Sequence, residues 1–215
     1  MLKFVRTVPK DVAAQMVERW LNEHFSNAEG VCYYKHPAVG TRTGVIPDFI
    51  LFTQTNQPLI IKIIDKSLQD ITLVTEDMWV VDDITVDSPV LELEDLVFKL
   101  ESKFLDHRKL RTRLNPHAIL ALPFITKADF EEKFGPLQNH VQAIWSGGNT
   151  QVFHHPLGQE LSSEEWTLTR SVIQGATHLH KPSNIIAQNI TTLGSAIKEL
   201  DKHIAALDDE HEKCG

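Results

Sequence analysis

The sequence predicts an α/β domain over residues 1–146, a central mixed sheet flanked by helices, followed by a mostly helical extension over 147–215. Three observations predict it. Helix-period and strand-type segments alternate through the first part of the chain. Two apolar strand runs, 46–53 and 59–64, lie close enough in sequence to pair as a hairpin. Beyond Ser146-Gly147-Gly148-Asn149 the strand signals fade and helical ones dominate.

Each element has its own signal. In residues 10–25, Val12, Met16, Val17, Trp20, Leu21 and Phe25 share one helical face. Asp11 follows Pro9 as a first-turn acid. Residues 31–34 are a short β-rich run, and GTRTG over 40–44 is a turn-rich break. IPDFILFT then reads as a strand, 55–58 as a turn, and LIIKII over 59–64 as a strand buried on both faces. Two short β-prone runs, 71–74 and 78–81, are joined through Glu76 and Asp77. Pro89 opens a helix to Leu105, with Leu93, Leu96, Val97, Leu100 and Phe104 inward. HAILAL over 117–122 is a further buried strand ended by Pro123. Thr126 caps a short helix that Gly135 closes, and 141–145 is the last strand. In the extension, SSEEW over 162–166 starts a helix to about Gly175. Residues 192–211 show Leu193, Ile197, Leu200, Ile204 and Leu207 near a 3.5-residue period, an amphipathic helix suited to self-association or to a partner.

Composition narrows the function classes. Of 215 residues, 42% are hydrophobic and 23% charged, ordinary for a packed domain. No run approaches about 20 apolar residues, so no membrane span is expected, and the N-terminus does not read as a secretory signal. Two cysteines, Cys32 and Cys214, have no paired spacing, which excludes a disulfide scaffold and fits a reducing cytoplasm. The net charge of −8 is unusual for a free-standing DNA binder. Basic residues must then cluster on one face, or another part of a complex must hold the nucleic acid.

The residues that bear on chemistry sit on the hairpin. Asp48 follows Pro47 on the first strand, and Lys62 interrupts the apolar run on the second. A lysine there is costly to bury unless it is paired, and Asp48 is the nearest candidate partner. Two plain readings stand beside a catalytic one: a cross-strand ion pair, or a lysine that guards a sheet edge.

The order of helix, strand with PDF, turn and strand ending in apolar-x-Lys resembles the PD-(D/E)xK nucleases. LIIKIIDKSLQDI is similar to the corresponding strand and loop of nuclease-related (NERD) domains, SPVLELEDLVFKL to their following helix, and HAILALPFITKADFEEKFG to their later strand and turn. GSAIKELDKHIAALDDEHEKCG resembles the joint to a superfamily 1 DNA helicase.

The resemblance implies a restriction-endonuclease-like core and a Mg²⁺- or Mn²⁺-dependent DNA nuclease, or a degenerate domain that docks DNA or protein. It implies Asp48 as a metal ligand, Lys62 as the catalytic cation, and Glu18 on the first helix as a further acid. The chain departs from the pattern at Ile60, where the family has an acid two residues before the lysine. Glu92 on the following helix, or Asp65 after the strand, is then the migrated carboxylate, giving a metal set of Asp48, Glu92 and Asp65. Glu92 stands at the helical glutamine position, and His211 at the helicase glutamine position. The chain has no Gly-x-x-x-x-Gly-Lys-Ser/Thr loop, so a helicase motor would lie in a further segment or another chain.

Two other clusters carry expectations. Lys99, Lys103, Arg108, Lys109, Arg111 and Arg113, with His107, form a basic strip suited to phosphate contacts; equally, cations at a helix end complement its dipole. Among eleven histidines, the adjacent His154 and His155 should face opposite ways. No histidine spacing matches a zinc site.

Overall fold

The computed structural model describes residues 2–5, 11–36, 39, 44–137 and 142–175. The element order is β1 (Leu2–Val5), α1 (Val12–His24), β2 (Gly30–Tyr34), β3 (Phe49–Thr53), β4 (Leu59–Ile63), β5 (Ile71–Val74), β6 (Met78–Val81), β7 (Ile84–Asp87), α2 (Pro89–Leu105), β8 (His117–Leu122), α3 (Lys127–Phe134), β9 (Gln142–Trp145) and α4 (Ser163–Gln174). A six-stranded mixed sheet runs β1-β2-β3-β4-β8-β9, and β5-β6-β7 form a separate three-stranded meander. Only β3 runs against its neighbours; β1 with β2, β4 with β8 and β8 with β9 are parallel.

Strand alternation divides the core into two layers. Phe49, Leu51, Leu59 and Ile61 face one side, where Ala14, Val17 and Leu21 of α1 cover them together with Phe153. Ile50, Phe52 and Ile60 face the other side, under Leu93, Leu96, Leu100 and Phe104 of α2. Each buried Val, Leu, Ile or Phe side chain among these contributes roughly 1.5–3 kcal/mol. Gly30 sits where β1, β2 and β3 come closest. A Cβ there would lie 2.8 Å from Thr53 Cγ2 and 2.9 Å from both Leu2 Cδ1 and the Phe52 carbonyl oxygen, so only glycine fits without a shift.

The predicted hairpin forms, with Phe49 opposite Ile61, Ile50 opposite Ile60 and Leu51 opposite Leu59. α2 and β8 occupy the predicted residues, and Thr126 caps α3 by accepting the Asp129 N–H. Several expectations change. β3 begins at Phe49 rather than Ile46, because at Asp48 the side chain, not the backbone, takes the next N–H of β4. Asp11 is the N-cap of α1, its carboxylate accepting the Ala14 N–H at 2.7 Å, and Val12 is exposed rather than inward.

The expected division at residue 146 gives way to a unit that extends to Gln174. Leu161, Trp166, Val172 and Ile173 pack into the α2-side core, with the Trp166 ring 4.7 Å from that of Phe52. The amphipathic segment 192–211 lies outside the described residues. Among the described residues no helix is long and apolar enough to cross a membrane.

Candidate functional site

Asp48 and Lys62 meet at the open end of the β3–β4 hairpin, where β2 and β4 end. Positions 48, 50 and 52 alternate onto the same side of the sheet as 60, 62 and 64. Asp48 brackets Lys62: its backbone N–H donates to the Ile61 carbonyl at 2.9 Å, and its Oδ2 accepts the Ile63 N–H at 2.7 Å. The side chain thus replaces a ladder partner just where β3 stops. The Asp48 carbonyl accepts the Lys35 N–H at 2.8 Å, and Lys35 Nζ stands 4.0 Å from Oδ1.

Burial raises the Asp48 pKa above its ordinary value of 3.8; the Ile63 N–H, Lys62 and Lys35 pull it back only in part, and Asp11 opposes them. The carboxylate is therefore desolvated and incompletely compensated. Its field reaches Lys62, but the direct partner of Lys62 is Glu92. Lys62 Nζ lies 2.9 Å from Glu92 Oε2, and both side chains are largely buried. Glu92 lies in the first turn of α2, where the helix dipole favours an acid. The two carboxylates thus share one ammonium, Glu92 by contact and Asp48 through its field.

Three neighbours escape sequence reasoning. Tyr34 Oη donates to Asp11 Oδ2 at 3.0 Å. Lys35 has a left-handed backbone, φ +46, and its ammonium stands 5.3 Å from the Tyr34 ring centre. Burial would lower the Lys35 pKa, but Tyr34, Asp48 and Asp11 outweigh it and leave it raised. Tyr34 and Lys35 precede the loop between β2 and β3, and the pairing of those strands brings them beside Asp48, while Asp11 reaches Tyr34 from the cap of α1. A positive φ at a non-glycine residue is the one local oddity, and it is invisible in a sequence.

The remaining predicted site residues fall elsewhere. Glu18 lies on α1, in the opposite layer from Glu92; burial raises its pKa, and its charge acts on Cys32. Cys32 itself is fully buried, with burial and then Glu18 holding its pKa well above the ordinary thiol value. Asp65 is exposed, and its field acts on Lys66. Among the described residues no hydrogen bond or ion pair joins Asp65 to Asp48, Lys62 or Glu92. Among the described residues no group of three or more His, Cys, Asp or Glu side chains is placed to hold a metal ion.

The basic strip is partly committed to structure. Lys109 pairs with Glu164. Arg113 Nη2 donates to the Gln159 and Glu160 carbonyls at 2.9 and 3.1 Å, while its Nη1 stands 3.6 Å from Glu165 Oε1. These contacts fasten the loop after α2 to the start of α4. Burial and then Lys99 lower the Lys103 pKa. Arg108 and Arg111 are exposed and Lys99 half-buried. His154 and His155 follow a 3-10 turn rather than lie on a strand, and they face different neighbours: His154 lies against His24 and His155 against His117.

Two clefts, of about 250 and 310 Å³, are lined by none of Asp48, Lys62 and Glu92. Comparison with known proteins returns no match: no family model, no curated protein and no solved structure is significantly similar to the chain.

Proposed function

We propose that Asp48, Lys62 and Glu92 form a phosphodiester-cleaving site of PD-(D/E)xK type acting on DNA, with Glu92 in place of the acid missing at Ile60. The observation that carries this reading is the 2.9 Å contact of Lys62 with Glu92 beside a carboxylate that brackets Lys62. The chain order supports it. A helix, three consecutive antiparallel strands, a helix and a strand parallel to the third place Pro47-Asp48 at the entry of the middle strand and Lys62 at the exit of the next. Ile60 faces the same side as Lys62 but is fully buried under α2, so an acid there would be sealed from substrate. Glu92 reaches the same ammonium from the helix.

The donor set fits a hard cation. Mg²⁺ takes oxygen ligands, keeps several waters and needs only one or two carboxylates from the protein. Asp48 and Glu92 would hold it, and when bound it supplies an activated water and offsets phosphate charge. Lys62 presents an ammonium to the anionic phosphate as charge builds up in the transition state. Lys35 adds a second cation on the solvent side of Asp48. Incomplete compensation of the Asp48 charge favours any cation that approaches it.

The test is Mg²⁺- or Mn²⁺-dependent nicking of supercoiled plasmid by the full chain. Asp48→Ala, Lys62→Ala and Glu92→Gln should each lower the rate by about 10²-fold or more. Unchanged nicking in the first two would remove the site. A second reading, a non-catalytic module that docks DNA or a helicase-type partner, is favoured by the presence of only two carboxylates. It predicts retention of DNA through Lys99, Arg108 and Arg111, no nicking, and indifference to Asp48→Ala. Self-association through 192–211 belongs to the same reading and would appear in sedimentation.

A further inference from the structure

The 310 Å³ cleft lies on the α2 side of the sheet, at the end where β4 and β8 begin and thus away from Asp48. Its lining is unlike that of the constellation described above. The imidazoles of His117 and His155 stack with centroids 3.9 Å apart and planes 31° apart. Burial, then the neighbouring His155, push the His117 pKa down to about 3, so that ring is neutral at pH 7. Neither of its nitrogens completes a hydrogen bond, and both are inaccessible to solvent. The Pro58 carbonyl that acts on the ring already takes the His117 backbone N–H at 3.0 Å.

Phe98 lines the cleft from α2. It is 70% exposed, the most exposed of the large hydrophobic side chains described. Glu94 and Glu101 flank it, four residues before and three after, on the same helical face. Among the described residues neither glutamate forms an ion pair. The cleft therefore offers an open aromatic face, a neutral His117 imidazole stacked on that of His155, and two unpaired carboxylates. Carboxylates repel anions, and an aromatic face attracts cations through its quadrupole. The flat stack favours a planar group over a globular one. Its volume suits a single small ring system. A bare metal ion is excluded, because no three ligating side chains converge here among the described residues.

We infer that this cleft binds a small flat organic cation, an aromatic ring carrying an amidinium or protonated amine, with the ring against Phe98 and the charge between Glu94 and Glu101.

The test uses three probes of one shape and different charge: benzamidine, benzamide and benzoate. Each is titrated into the uniformly ¹⁵N-labelled full chain at pH 7, with the His117 and His155 imidazole resonances followed by NMR. Benzamidine should shift both, with a Kd on the order of 1 mM, as expected for a fragment of this size. Benzoate should shift neither, and benzamide should bind at least about fivefold more weakly. Phe98→Ala and the double variant Glu94→Gln/Glu101→Gln should each weaken benzamidine by about fivefold or more. Phe98, Glu94 and Glu101 lie at the surface or the cleft wall, so the fold survives their replacement, and unchanged dispersion of the remaining spectrum verifies it. Three results overturn the inference: benzoate binding as tightly as benzamidine, benzamidine affinity unaltered by both variants, or no shift at about 20 mM benzamidine.

Discussion

The β3–β4 hairpin has two ends of opposite character. At the turn, the buried side chains of Thr53 and Asn56 are neutral and matched. Thr53 Oγ1 accepts the Asn56 N–H at 2.9 Å, Asn56 Nδ2 donates to the Phe153 carbonyl at 3.1 Å, and Asn56 Oδ1 accepts the His155 N–H at 2.7 Å. Both side chains are buried, yet burial costs them little because each completes its hydrogen bonds. At the open end, five residues along β3 from Thr53, Asp48 and Lys62 are largely buried and only partly compensated. The same two strands thus carry a satisfied clamp and a strained electrostatic site. The clamp fixes the register, and a fixed register places Asp48 opposite Lys62.

The largest break in this comparison comes from Ile60→Asp, which puts an acid on the strand two residues before Lys62. Ile60 lies opposite Ile50 and beside Ala118, fully buried under α2. An ionised carboxylate there has no partner, and a cost of about 4–5 kcal/mol or failure to fold is expected in urea denaturation. Nicking should not rise. A stable variant with faster nicking would show that the acid belongs on the strand and that Glu92 is incidental.

Next in size is Asn56→Ala, which breaks the clamp. It leaves the Phe153 carbonyl and the His155 N–H without their partners, at a cost of about 2–4 kcal/mol. If the clamp sets the register, nicking should fall with it even though the charges are more than 10 Å away along the strand (about 3.4 Å per residue). Full activity in a destabilised Asn56→Ala protein would separate the two ends.

A smaller effect sharpens the charged end. Glu92→Leu leaves Lys62 without its ion-pair partner in a largely buried setting, and about 1–3 kcal/mol of stability should be lost. Adding Lys62→Met removes the second charge and should recover most of that loss, while nicking remains abolished. Additive losses in the double variant would show that the pair does not act as a unit.

Legibility in the sequence follows the same division. α2, β8 and the hairpin could be read directly because their burial is periodic and their ends carry local chemistry, Pro89, Pro123 and Thr126. β7 was not legible. It closes on β6 through Asp82-Asp83, both at positive φ, where a two-residue turn is usually announced by Asn-Gly or Asp-Gly. All four of its residues are exposed, so the alternation of Ile84, Thr85, Val86 and Asp87 corresponds to no buried face. β1 is four residues long and exists through parallel pairing with β2, a contact across α1 that no local pattern encodes. α4 read as an extension because its burial depends on Trp166 meeting Phe52, more than a hundred residues away. At the site, Asp48, Lys62 and Glu92 were all legible as candidates. That Lys62 contacts Glu92, that Glu18 belongs to Cys32, and that Lys35 joins Asp48 were not, because each depends on which layer a helix covers or which strands pair.

The smallest effect has the unusual sign. Asp48→Asn keeps an oxygen to accept the Ile63 N–H but removes a charge that burial disfavours. Because the folded pKa of Asp48 is raised above 3.8, the native state holds its proton more tightly than the unfolded chain. The group favours folding below pH 3.8, and that contribution is lost as pH rises through the folded pKa. Above that folded pKa the wild-type protein therefore carries the penalty and the asparagine variant does not. Asp48→Asn should melt a few degrees higher at pH 7, with the gap closing below pH 3.8, in thermal scans at several pH values. Nicking by the same variant should be lost, the pattern expected where a catalytic group is held against the stability of its surroundings. A lower melting temperature at pH 7 would mean that Lys62, Lys35 and the Ile63 N–H already compensate Asp48. The carboxylate would then be a structural ion-pair member, and the docking reading would gain at the expense of cleavage.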